Sequence, residues 1–135
     1  MSANDYQVGG NHYAKGGAFQ HWDLIEDNGI GYIEGCATKY VTRWRDKAEP
    51  LKDLNKAKHY VVKLLELHRI GGRQPRGCAS EEDIARFCVA NNVTDPWEQA
   101  VVEVLCTEWT EGELLNVLET IQLLIDREFP DAPVE

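Results

Sequence analysis

Three basic side chains follow one another at steps of four residues in the segment 35–47. Lys39, Arg43 and Lys47 occupy these positions, beginning one step after Gly35. A step of four keeps side chains on one face of a helix. Like charges at this spacing repel each other, and a bound anion relieves the repulsion. We therefore expect this basic ladder to bind the phosphate groups of a ligand.

Gly35 lies on the same row as the ladder. A glycine inside a helix costs about 1 kcal/mol relative to alanine, so a packing or functional reason is expected for it. Because glycine has no side chain, it would let a ligand approach the backbone one turn before Lys39. The alternative for the ladder is that Lys39 and Arg43 pair with local carboxylates such as Asp46 and Glu34.

A second polar group, Asp53, Lys56 and Tyr60, borders the apolar stripe of a proline-led helix predicted over 50–69. A break of only a few residues separates this helix from the one predicted over 32–47. So short a turn predicts an antiparallel helical hairpin. Whether the two polar borders then meet in one groove depends on the handedness of packing, which the sequence leaves open.

The remaining pattern is also helical. The other predicted helices cover 19–28, 81–90, 96–109 and 111–127. The last three follow residues typical of helix starts: Ser80 with Asp83, Asp95 with Pro96 and Glu98, and Thr110 with Glu113. No segment shows the alternation of a strand. The sequence therefore predicts an all-α fold, with a helical hairpin core, a short N-terminal helix and a C-terminal helical bundle extension.

The helix predicted over 111–127 is apolar over more than one narrow stripe. Such a helix is central to a core, contributes to an oligomer interface, or does both. A groove shared between protomers would also explain how a short chain builds a binding site. We therefore expect a homo-oligomer.

Composition excludes several classes of protein. With 43% hydrophobic and 27% charged residues, the 135-residue chain is globular rather than disordered. It has neither an apolar run of transmembrane length nor a signal-peptide pattern, so a cytoplasmic protein without membrane contact is expected. No two of the four cysteines have CxxC spacing, which argues against a structural zinc site.

Charge is distributed unevenly along the chain. Residues 1–70 carry ten Lys and Arg against nine Asp and Glu, whereas residues 71–135 carry four against fourteen. The acidic second half argues against broad nucleic-acid binding. It also leaves the basic residues concentrated where a small anion could use them.

The segment 11–65 resembles a family of small tailed-phage proteins, mostly of unknown function. The family pattern is an early HY, a short acidic or aromatic helix, G-x-x-x-KY-x-x-R-x-x-x-K, and DL-x-KA-x-x-Y-x-x-x-L. The matching residues are His12-Tyr13, Trp22-Asp23, Gly35, Lys39-Tyr40, Arg43, Lys47, Asp53-Leu54, Lys56-Ala57, Tyr60 and Leu64. Cys36 departs from the pattern, because the family often has Asn there.

Some podophage members of that family are described as deoxynucleoside monophosphate kinases that lack a P-loop. The resemblance thus implies a nucleotide ligand and, in the enzymatic case, phosphoryl transfer, with residues 1–70 as the kinase-like core. The Gly- and Pro-rich residues 71–80 are expected to form a linker. Residues 81–130 are expected to form an acidic helical region, to which the resemblance does not extend. The ligand-binding residues it implies are His12, Tyr13, Gly35, Lys39, Tyr40, Arg43, Lys47, Lys56 and Tyr60. If a kinase reaction occurs, Lys39, Arg43 and Asp53 are its expected catalytic residues, and Asp53 and Asp23 are the first candidates to hold Mg²⁺.

Other functions remain open on the sequence. The same groove would serve a binding module that captures a nucleotide, such as a host signalling nucleotide, without chemistry. The acidic helices would suit an antagonist of a host protein. An all-helical pyrophosphohydrolase is disfavoured, because Glu81-Glu82 lacks the further carboxylates at the required spacing.

Overall fold

The structure, a computed structural model, describes residues 19–133 and confirms the all-α fold. The described range has no β-strand. Its helices are α1 (His21–Asp27), α2 (Tyr32–Arg43), α3 (Pro50–Gly71), α4 (Glu81–Ala90), α5 (Pro96–Leu105) and α6 (Glu111–Glu128), with a 3₁₀ turn at Trp44–Asp46 between α2 and α3. No helix within this range is long and apolar enough to cross a membrane.

The predicted helix starts in the second half are confirmed by hydrogen bonds. The Ser80 side chain accepts from the Asp83 backbone N–H at 3.1 Å. The Asp95 side chain accepts from the N–H of Trp97 at 2.8 Å, one residue after the proline that begins α5. Thr110 and Glu113 form the full capping box at the start of α6. These contacts satisfy backbone donors that have no partner inside the helix.

Two helices end earlier than the sequence predicts. The helix predicted to reach residue 47 becomes a 3₁₀ turn after Arg43, and Lys47 has extended backbone angles of φ −107° and ψ 157°. The last step of the basic ladder is therefore not a helical one. The helix predicted to reach residue 109 ends at Leu105, and the following residues carry Trp109 back to the side chain of Glu34.

The α2–α3 hairpin shares a hydrophobic core with α5 and α6. The buried side chains of this core are Ala37, Val41, Trp44, Leu54, Ala57, Val61, Leu64, Leu65, Val101, Leu105, Trp109, Leu114, Val117, Ile121, Leu124 and Ile125. A second cluster joins α1 and α4 to one face of α5. The division at residues 70 and 80 stays a prediction, but apolar residues from both sides of it meet in one core.

The segment 72–80, which lies within the linker predicted at 71–80, is tied to the helices on both sides of it. Arg73 donates two hydrogen bonds to the buried carboxylate of Glu34, at 2.6 and 3.0 Å. The Ala79 backbone N–H donates to the carbonyl of Cys106 at 2.7 Å. Gly77 passes so close to the α1–α2 turn that a Cβ there would overlap the carbonyl oxygen of Asn28. The segment thus fixes the N-terminal helices against the second half of the chain.

Candidate functional site

Cations from α2 and α3 converge on the ring of Tyr40. Lys39 Nζ lies 4.9 Å from the ring centroid, and Arg43 Cζ lies 5.3 Å from it. From the facing helix, Lys56 Nζ lies 5.3 Å from the same centroid. The polar borders of the two helices therefore do meet, which the sequence left open.

The charges of this cluster act on one another. Burial lowers the pKa of Arg43, while the negative charge of Asp53 acts in the opposite direction. The pKa of Lys47 is lowered by burial and then by Arg43, with smaller effects of the same sign from Lys39 and Lys56. Asp53 again opposes them. Lys47 thus belongs to the same electrostatic neighbourhood, although it lies beyond the end of α2.

Asp53 is a buried carboxylate inside this basic cluster. Its exposed fraction is 6%, and its Oδ1 lies 3.9 Å from Lys56 Nζ. Its Oδ2 is buried and has no hydrogen-bond partner among residues 19–133. A buried carboxylate without full hydrogen bonding is unfavourable unless positive charge compensates it, and the surrounding cations provide that charge. The unused oxygen is suited to contact a cation or a hydroxyl group.

Tyr40 and Tyr60 form the aromatic part of the site. Their rings are stacked, with centroids 5.9 Å apart and an angle of 14° between planes. The pKa of Tyr60 is raised to about 12, first by the charge of Cys36 and then by burial and by a hydrogen bond with Cys36. Tyr60 therefore keeps its phenolic proton at neutral pH. The pair offers apolar ring surface beside the cations.

A groove of about 530 Å³ opens beside the two tyrosines. Its lining residues are Ile33, Tyr40, Lys52, Asn55, Lys56, His59, Tyr60 and Lys63. The sequence interpretation missed Lys52, Asn55, His59 and Lys63. A signal was present, because Lys52, His59 and Lys63 lie four residues before and three and seven residues after Lys56, on the same helix face.

The packing of α1 on α2 does not require glycine at position 35. Gly35 is buried in α2, and a Cβ there would lie 3.4 Å from Cγ2 of Ile25 on α1. This distance is an ordinary van der Waals contact, so the space would accept an alanine. The role of Gly35 in ligand approach stays a prediction.

The local carboxylate Glu34 does not pair with the basic ladder. It is 1% exposed and accepts hydrogen bonds from Arg73 and, at 3.1 Å, from Trp109 Nε1. Its carboxylate oxygens are used by these hydrogen bonds, which join α2 to the second half of the chain. This removes one of the two carboxylates named in the alternative interpretation of the ladder.

Asp23, the second candidate for Mg²⁺, has a structural role. Its Oδ2 accepts a hydrogen bond from the Gln20 backbone N–H at 2.8 Å, which caps the start of α1. Across residues 19–133, no group of three or more His, Cys, Asp and Glu side chains is placed to hold a metal ion. Magnesium binding stays a prediction. His12 and Tyr13 lie outside the described residues.

Comparison with known protein families gives a match to part of the chain. Residues 8–62 match a family described as proteins of unknown function, DUF3310. The matched range contains α1, α2 and the first half of α3, and with them every candidate site residue except Lys63. No curated protein and no solved structure matches the chain.

Proposed function

We propose that this chain binds a nucleotide at the α2–α3 groove, with its phosphate held by Lys39, Arg43, Lys47 and Lys56. The observation that carries the proposal is the convergence of three of these cations on the Tyr40 ring, with Lys47 in the same field. A phosphate would relieve the mutual repulsion of the cations and accept charge-assisted hydrogen bonds from them.

The aromatic pair supports a nucleotide over a simple phosphate. Tyr40 and Tyr60 border both the cation cluster and the groove. A base or sugar placed in the groove would contact their rings while its phosphate reaches the cations. Stacking on an aromatic side chain contributes about 1–3 kcal/mol per base and tolerates different bases.

Phosphoryl transfer from ATP to a deoxynucleoside monophosphate is the enzymatic form of this proposal. Its supports are the resemblance to the phage family and the buried Asp53, whose free oxygen is suited to contact Mg²⁺ or an acceptor hydroxyl. The alternative is a module that sequesters a nucleotide, such as a host signalling nucleotide, without chemistry. Cations that bind phosphate are equally useful to a kinase and to a non-catalytic binding module.

Calorimetry with a deoxynucleoside monophosphate and its matching nucleoside tests the binding proposal. We expect the nucleoside to bind at least about tenfold more weakly, because charge-assisted hydrogen bonds to the phosphate would be lost. Lys56→Ala should weaken binding of the monophosphate. Lys58→Ala is the matched control, because Lys58 lies on the same helix but donates to Gln122 of α6 at 2.7 Å. Equal binding of nucleoside and nucleotide would refute the phosphate site.

Asp53→Asn separates the enzyme from the binding module. Removing the negative charge leaves the cations less compensated, so a phosphate ligand should bind as tightly as in the wild type or more tightly. With ATP, Mg²⁺ and a deoxynucleoside monophosphate, the wild type should form a diphosphate and the variant should not. If the wild type binds the nucleotide but forms no diphosphate, the protein is a binding module.

We also propose that the chain forms a homo-oligomer through α6. Leu114, Val117 and Ile121 of this helix are buried, whereas Leu115 and Leu123 are each 43% exposed. Replacing both exposed leucines by Glu should lower the mass measured by analytical ultracentrifugation without changing the helical circular dichroism. A wild-type protein that sediments as a monomer would contradict the proposal.

A further inference from the structure

The groove beside Tyr60 carries a second set of basic side chains that one phosphate does not explain. Lys52, Lys56, His59 and Lys63 lie at positions i, i+4, i+7 and i+11 of α3, and all four line the groove. This stripe runs about 16 Å along the helix axis. The other cations around Tyr40, on Lys39 and Arg43, come from α2.

The basic residues around Tyr40 and those along the groove share Lys56. Lys56 and Tyr60 contact the Tyr40 ring, and all three residues also line the groove. A phosphate bound by the α2 cations and Lys56 would leave Lys63, about two turns further along α3, facing the rest of the ligand. Two basic positions with Tyr60 between them suit two phosphate groups separated by a nucleoside.

The outer lysines are able to exchange their present partners for a ligand. Lys52 Nζ lies 3.5 Å from Glu49, and Lys63 Nζ lies 3.3 Å from Glu66. Both pairs are exposed and join residues three positions apart, one at the start of α3 and one inside it. Ion pairs of this kind are weak and are screened by salt. A phosphate would offer each lysine a stronger, charge-assisted contact.

The size and lining of the groove fit a ligand larger than one nucleotide's phosphate. Its volume of about 530 Å³ lies within the range typical of small-molecule sites. Ile33 and the tyrosines give it an apolar wall, and Asn55 adds an amide that can both donate and accept hydrogen bonds. These are the contacts that a second base and sugar would use.

We propose that the preferred ligand is a dinucleotide, in which two nucleosides are joined by a phosphodiester and one carries a terminal phosphate. This inference rests on the proposed nucleotide site and specifies its ligand class. One phosphate binds Lys39, Arg43 and Lys56, with Lys52 one turn before Lys56 on the same helix face, and the other binds the outer part of the groove at Lys63.

Calorimetry with 5′-phosphorylated deoxyadenosine and thymidine dinucleotides, against the matching monophosphates, tests this inference. The dinucleotides should bind about tenfold tighter, since they engage additional charged contacts. Their affinity should also fall more steeply with salt, because more phosphate groups are neutralised.

Lys63→Ala identifies the outer subsite. It should weaken dinucleotide binding by about three- to tenfold more than it weakens monophosphate binding. Lys58→Ala, which removes the same charge from the α6 side of α3, should change neither. The inference would be overturned if Lys63→Ala lowered the affinity for both ligands to the same extent, or if it changed neither affinity.

The remaining outcomes separate this inference from the function beneath it. Equal affinity for monophosphates and dinucleotides would overturn the dinucleotide and leave the nucleotide site standing. Failure of both to bind would overturn the nucleotide site itself. A 5′-phosphorylated tetranucleotide should bind within about twofold of the dinucleotide. A continued rise in affinity with length would replace the dinucleotide by a single-stranded nucleic acid.

Discussion

Replacing Gly35 by alanine has separate expected effects on the stability of the helix and on the binding of a ligand. A Cβ at this position would meet Ile25 at 3.4 Å, a distance that requires no rearrangement. Gly35→Ala should therefore raise the free energy of unfolding by about 0.5–1 kcal/mol, because alanine is the better helix former. Urea unfolding measures this change.

Nucleotide binding by the same variant tests the approach of a ligand to the α2 backbone. If no ligand approaches the backbone at Gly35, binding should be unchanged. A loss of affinity in a variant that is at least as stable as the wild type would show that the ligand does approach there.

His21 predicts a dependence of stability on pH. Its Nε2 lies 2.8 Å from Thr38 Oγ1. The Thr38 hydroxyl in turn donates to the Glu34 carbonyl at 3.0 Å, so His21, Thr38 and the α2 backbone form one hydrogen-bonded chain. Burial, with a smaller effect from Lys39, lowers the pKa of His21 from 6.5 to about 4.

A histidine whose pKa is lowered on folding stabilises the protein as a neutral ring. Its contribution is complete above pH 6.5 and is lost as the pH falls from 6.5 towards 4, since the unfolded chain then binds the proton more readily. The loss should approach about 3 kcal/mol. Urea unfolding at several pH values should show that the free energy of unfolding depends less on pH in His21→Gln than in the wild type. Parallel curves for the two proteins over this range would contradict the assignment.

Among the connecting elements, the segment 72–80 predicts a strict requirement for glycine at one position. A side chain at Gly77 would overlap the Asn28 carbonyl, which belongs to the backbone and cannot rotate away. Gly77→Ala should therefore lower the free energy of unfolding by about 2 kcal/mol. Gly71→Ala is the control, because a Cβ there meets nothing within 4 Å. Equal stability of the two variants would show that this segment does not hold α1 and α2 in place.

Helix positions were predictable where the signals are local. Periodicity and caps are set within a few residues, so the starts of α4, α5 and α6 agree with the sequence interpretation. The ends of α2 and α5 were less predictable because distant contacts govern them. Trp109, for example, leaves the helical path and bonds to Glu34, 75 residues earlier in the sequence. No local pattern reveals such a partner.

The candidate site shows the same limit at the scale of the whole molecule. The basic ladder and the facing Lys56 and Tyr60 were readable from spacing, whereas their convergence on Tyr40 depends on how the hairpin helices pack. Lys52 and Lys63 were missed because the groove exists only once α2 covers one side of α3. Side-chain type is therefore local information, and the shape that gives it a function is not.

The shared core predicts that the hairpin does not fold without the second half of the chain. Leu54 and Leu64 of α3 are buried in the cluster that also contains Leu105, Leu114 and Ile121. Removing α4, α5 and α6 would expose these leucines, and each buried leucine contributes about 1.5–3 kcal/mol. A fragment of residues 1–80 should therefore show no cooperative thermal transition by circular dichroism.

Mixing this fragment with one of residues 81–135 provides the complementary measurement. If the core forms only jointly, the mixture should regain helical signal and a cooperative transition that neither fragment shows alone. A fragment 1–80 that unfolds cooperatively and binds nucleotide by itself would establish the first half as an independent domain. The acidic helices would then not be needed to build the site, and a separate role in contacting a partner would become testable on their own.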